Sequence, residues 1–148
     1  RDTDRSRGLG DVYKRQGVIR ALHFQRVHEQ AKLVRCIKGK VFDVIVDLRP
    51  ESPTFKKWQG FYLSEENMNE LYVPEHFAHG YLVLEPSVVS YKCGEKFYGE
   101  YDDGIMYNDP DLGVEWPFDE IGGIENLIIA DKDKNLQSFK KFEEMYLK

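Results

Sequence analysis

The sequence is short of cysteine, of long apolar runs and of positive charge, and each shortage excludes a class of protein. Its two cysteines, Cys36 and Cys93, stand far apart, each inside an apolar stretch. That is neither a disulfide framework nor the Cys-x-x-Cys spacing of a metal or redox site; it fits two buried, reduced thiols in a cytoplasmic protein. No stretch is apolar enough to span a membrane, and no charged-then-apolar leader opens the chain. A formal net charge of −5 argues against a nucleic-acid binder that works by neutralising phosphates. It still allows a local basic pocket around a small anion. Histidine is scarce too: there are four, and none forms a His-x-His pair. A metal needs three or four ligands at fixed distances, so the expectation is a metal-free site.

What is present is a globular texture. A chain of 148 residues, 41% apolar and 14% aromatic, suits one domain with a real core. Residues 1–16, "RDTDRSRGLGDVYKRQ", are charged and show neither helical nor strand periodicity, so they read as a non-native or disordered leader outside the fold. From Gly17 onward short apolar segments alternate with turn chemistry. "GVIRALHFQ" reads as a strand. "KLVRCIKGKVFDVIVDLRPESP" reads as two strands about the Lys38–Lys40 turn, stopped by Pro50 and Pro53. "FKKWQGFYLS" and "NELYVP" are two more, "GYLVLE" and "VVSYKC" a pair joined by "PS", and "ENLIIA" a last strand. Many short strands without a long helical period between them predict an antiparallel sandwich or barrel. Only the tail differs: Leu136, Phe139, Phe142 and Tyr146 fall at helical spacing and predict a C-terminal helix packed by one face.

Several residues could carry chemistry, and each has a plain structural reading beside it. His23 on a strand would share a face with Ala21 and Gln25, opposite Leu22 and Phe24, with Arg20 close by at the strand's edge. Tyr91 alternates with Val89 and Cys93, and a buried phenol there needs a hydroxyl partner or a cavity. Lys32 and Arg35 fit a solvated strand edge. If Lys32 instead turns inward, its charge asks for an anion, permanent or developing. His76 and His79 lie three apart in "VPEHFAHGYLVLE", after Pro74, in a loop leading into a strand.

Together these segments are more specific than their parts. "GVIRALHFQ", "AKLVRCIKGKVFDVIVDLRPESPTFKKW", "LSEENMNELYVPEHFAHGYLVLE", "YKC" and "GIMYNDPDLGVEWP" occur in that order and closely resemble the dTDP-4-dehydrorhamnose 3,5-epimerase family, from Gly17 to about Asp133. The resemblance implies an all-β, cupin-like double-stranded β-helix (a jelly roll) that forms a homodimer and uses no metal or organic cofactor. It implies epimerisation at C3 and C5 of dTDP-4-keto-6-deoxy-D-glucose, giving dTDP-4-keto-L-rhamnose. It matches His23 to the catalytic base, Asp133 to the carboxylate paired with it, and Tyr91 to the general acid. Arg20 and Lys32 match cationic contacts near the diphosphate and the sugar ketone, and His79 a substrate-binding histidine. Phe97 falls where an aromatic stacks on thymine, Asp102 where a Glu is usual, and Lys132 at a nucleotide contact; His76 matches no family site.

Two departures accompany the resemblance. Ala21 replaces a usual Gly, a small change expected either to crowd the pocket or to alter the backbone slightly. The family's opening segment has no counterpart in residues 1–16, so the domain over 17–148 is expected to bind nucleotide more weakly and to have a damaged dimer interface. A 3-only or 5-only epimerase, a keto-isomerase of a related sugar nucleotide, and a cupin-like domain that binds sugar nucleotide without turnover all remain open alternatives.

Overall fold

The computed structural model describes residues 9–25, 31–93 and 102–147. Eight strands form one sheet: β1 (Leu9–Lys14), β2 (Val18–Gln25), β3 (Lys32–Asp47), β4 (Trp58–Ser64), β5 (Glu70–Val73), β6 (Phe77–Cys93), β7 (Asp102–Gly104) and β8 (Ile128–Ile129). The hydrogen-bonded order is β4-β3-β6-β2-β7, with β1 on β6, β5 on β3 and β8 on β2. All pairings are antiparallel except β2 with β8. Among the described residues, one α-helix, α1 (Phe139–Tyr146), follows the strands.

The centre is the long pair β3 and β6. Sequence reading splits each in two, at the Lys38–Lys40 turn and at Pro86–Ser87, but both run through as bent single strands. The bend is local. Register shifts lie between Cys36 and Val41, and Gly39 takes φ 84°. A Cβ on Gly39 would come within 2.2 Å of the Pro86 carbonyl oxygen, so only glycine lets the two strands bend against each other here. Ser87 Oγ secures the bend by accepting from Lys40 N at 2.9 Å and donating to Glu85 O at 2.6 Å.

β1 falls within the stretch set aside as a leader. It pairs with β6 from Leu9↔Lys92 to Lys14↔Ser87. A ladder of backbone hydrogen bonds needs no side-chain pattern, which is why its charged, aperiodic sequence did not announce a strand.

Both faces of the central strands are covered, so residues 41–48 are buried without a break. Alternation divides them. Phe42, Val44, Val46 and Leu48 join Ile19, Leu22, Leu82 and Leu84 in one cluster, which takes in Trp116 from the loop and Phe139 and Phe142 from α1. Val41, Ile45, Val34, Val83 and Val89 form a second cluster on the other face. The predicted C-terminal helix is present, but Leu136 precedes it; Ser138 is the N-cap, its Oγ accepting from Lys141 N at 3.2 Å. Cys36 is a free, buried thiol that donates to Lys38 O.

Candidate active site

On the central strands β3 and β6, the second, inner face carries polar side chains among its apolar ones. Asp43 alternates with Val41 and Ile45, and His79 and Tyr81 alternate with Val83, so all three point into the inner cluster. On β2 the alternation breaks. The register with β6 shifts between Arg20 and His23, and Ala21 and Leu22 are both buried in the outer cluster. His23 therefore keeps Gln25 but not Ala21 on its face, and Arg20 comes round to the same side as His23. Of the two effects expected of Ala21, crowding of the pocket is not what the structure shows, because its side chain is buried in the outer cluster. Its Cβ abuts Gly80, where an added side chain would approach to 2.7 Å.

The register then builds two rows across three strands. Arg20, Tyr81 and Asp43 are cross-strand neighbours; so are His23, His79 and Ile45. Gly80 stands between the histidine and the tyrosine of β6, and a Cβ there would lie 2.6 Å from the Arg20 carbonyl oxygen. The missing side chain lets β2 and β6 close up directly beneath the site.

Two histidine–carboxylate pairs result. His23 Nε2 lies 3.0 Å from Asp133 Oδ1 and 3.1 Å from Oδ2, and Arg20 Nε sits 3.5 Å from the same carboxylate. Asp133 is 1% exposed, carried in by the short 3-10 turn Asp131–Asp133 that follows β8. Burial alone would raise its pKa. The His23 hydrogen bond, the charges of His23 and Arg20, and the Ala21 amide outweigh that and hold it below the ordinary carboxylate value. His79 Nε2 approaches Asp43 Oδ1 at 2.7 Å, with Asp43 fully buried.

Tyr91 is further along β6, opposite Val34, and like Tyr81 packs on the inner cluster. Lys32 stands opposite Cys93, next along β6 on the face that Val34 and Cys36 bury, so it occupies an inward register position rather than a solvated edge; Arg35 is exposed. The structure thus brings His23, Asp133, Arg20, His79 and Tyr91 to one face, with Lys32 on the same side. Lys132 is exposed, one residue from Asp133. The backbone of Asp102 pairs with Gln25, two residues from His23. Phe97 lies outside the described residues.

The two histidines of "HFAH" go opposite ways. His79 faces the inner site. His76, exposed at φ 70°, lines a separate cavity of about 360 Å³ beside Phe24, Leu48 and Phe142. Among the described residues, no three His, Cys, Asp or Glu side chains gather in a metal-holding group, and no helix is long and apolar enough to cross a membrane.

Sequence reading missed Asp43 and Tyr81. Asp43 hides in the apolar run "VFDVIVD", where a lone carboxylate among β-branched residues was the available signal. Tyr81 was available from its alternation with His79.

The family model dTDP-4-dehydrorhamnose 3,5-epimerase matches residues 10–141. The enzyme of that description from Methanothermobacter thermautotrophicus is 48% identical over 127 residues, covering 85% of this chain and 67% of its own length. The Shigella flexneri one is 44% identical over 126 residues, covering 84% of this chain and 66% of its own. The chain thus spans about two thirds of the length of these relatives. A crystal structure of the Legionella pneumophila epimerase in complex with dTDP-4-keto-L-rhamnose superposes with a TM-score of 0.83 at 36% identity, covering 95% of this chain and 70% of that one. The chain belongs to the dTDP-4-dehydrorhamnose 3,5-epimerase family.

Proposed function

We propose that this member of the family epimerises C3 and C5 of dTDP-4-keto-6-deoxy-D-glucose, giving dTDP-4-keto-L-rhamnose. The observation that carries the reading is the His23–Asp133 pair, 3.0 Å apart on the sheet face that also holds Tyr91. Both reacting carbons are alpha to the C4 ketone, so loss of either proton gives an enolate. Chemistry of this kind needs a base on one side of the ring and an acid on the other.

His23 takes the proton, its imidazole being held against the Asp133 carboxylate at 3.0 Å. Asp133 holds the ring in one orientation and stabilises the imidazolium that forms. Lys32 stabilises the enolate oxygen as charge develops there. Tyr91 returns a proton from the opposite side, which inverts the centre, and two cycles invert both carbons. His79, anchored by Asp43, contacts the sugar. Arg20, Lys132, Asp102 and Phe97 belong to the nucleotide and diphosphate end. None of these roles uses a metal or an organic cofactor, so chelators are expected to have no effect. Assembly as a homodimer rests on the family resemblance, and residence in the cytoplasm is in keeping with the free thiol of Cys36.

The test is isotope exchange in D₂O with dTDP-4-keto-6-deoxyglucose. Deuterium at both C3 and C5 is the expected result. Label at one position alone would make the chain a single-site epimerase, and label at neither would leave a binding domain.

A further inference from the structure

The mechanism above leaves unused the residue at the centre of the polar row. Tyr81 is flanked in register by Arg20 on β2 and Asp43 on β3, its ring centroid is 6.3 Å from that of His79, and it packs on the same cluster as Tyr91. Its electrostatic neighbours are Arg20, Asp43, Tyr91 and Asp133, so groups assigned to the base, the acid and the sugar contact all converge on this one phenol. Among the described residues no hydrogen bond is made to its hydroxyl. A phenol so placed in a core normally finds a partner, and one that does not must face an opening.

We infer that Tyr81 is a substrate-contacting residue whose hydroxyl donates a hydrogen bond to an oxygen of the bound keto sugar, between the His23 side and the Tyr91 side. The inference rests on the proposed function and adds to it a contact that neither the base, the acid nor the lysine supplies. Donation is the role its surroundings favour. Burial, together with Asp43, Tyr91 and Asp133, pushes its pKa up to about 12 against the opposing pull of Arg20, so the proton stays on the phenol across the neutral range. A donor that stays neutral can stabilise oxygen charge without adding a negative charge beside Asp43 and Asp133.

The experiment compares wild type with Tyr81→Phe, which keeps the ring and its packing while removing only the hydroxyl. Turnover of dTDP-4-keto-6-deoxyglucose should fall by about 10- to 100-fold in kcat/KM, the range for losing one hydrogen bond to a charged or charging oxygen. The thermal midpoint should stay at the wild-type value. A second readout needs no turnover: with tyrosine labelled at ¹³Cζ, the resonance missing from the Tyr81→Phe spectrum should shift when dTDP-rhamnose is added and stay put when dTDP alone is added. An unchanged kcat/KM together with a resonance indifferent to dTDP-rhamnose would overturn the role of Tyr81 while leaving the proposed function standing. A wild type that neither exchanges deuterium nor binds dTDP-rhamnose would overturn both.

Discussion

Two buried aspartates, Asp47 at the end of β3 and Asp133 beside β2, show how differently one side chain can be used. Asp47 is satisfied entirely from nearby. It accepts from Arg49 N, Nε and Nη2, each at 2.9 Å, from Ser52 Oγ at 2.6 Å and from Thr54 Oγ1 at 2.5 Å. Its partners are two hydroxyls and a guanidinium that never deprotonates, so the cluster is a permanent clasp on the loop between β3 and β4. Asp133 takes its main partner from 110 residues away, and that partner is an imidazole. A carboxylate tied to fixed donors shapes the chain. One tied to an imidazole, a group that can both take and give a proton, can take part in a reaction. Burial works to raise the pKa of both, and in both the bonded partners prevail.

The largest expected effect would break the comparison on the Asp133 side. His23→Ala should lower turnover by about 10²–10⁴-fold, the usual contribution of a positioned acid–base group, and Asp133→Asn should fall in the same range. Initial-rate kinetics check both, with circular dichroism to confirm the fold. Asp47→Asn should do the converse. Losing the charge-assisted bonds to Arg49 and the two hydroxyls should cost about 2 kcal/mol of stability, with kcat of the remaining folded enzyme unchanged. Urea unfolding measures it.

Acid sharpens the comparison further. Both carboxylates have folded pKa values below the unfolded value near 3.9, so the stability they contribute is fully present above about pH 5 and is lost as pH falls through their folded values. Asp47→Asn should therefore flatten the fall in unfolding free energy between about pH 5 and 2, measured by urea titration at each pH. The smallest effect belongs to a neutral cap bonded to neither carboxylate. Ser138→Ala should destabilise by about 1 kcal/mol and leave kinetics alone, as a urea midpoint shift would show.

Much of this was legible in the sequence, and the failures have identifiable causes. Alternation located the strands bearing His23 and Tyr91, and helical spacing located Phe139 and Phe142, whereas His79, expected in a loop before the strand, lies within β6. The turns at Lys38–Lys40 and Pro86–Ser87 were misread because a glycine and a proline in strand context mark a bulge as readily as a reversal. The face of His23 was misassigned relative to Ala21 because a register shift within β2 cannot be seen in a strictly alternating pattern. Asp43 stayed hidden because β3 is buried on both faces, and a doubly covered strand loses the polar–apolar rhythm that would single out an inward carboxylate. β1 went unrecognised because Leu9–Lys14 carries no polar–apolar alternation.

The most direct test of the central claim, an imidazole and a phenol acting from opposite sides of one sugar ring, separates exchange from inversion. In D₂O, Tyr91→Phe should still place deuterium on the carbon deprotonated by His23 while forming inverted product much more slowly than wild type. Inversion at the wild-type rate in that variant would contradict the account.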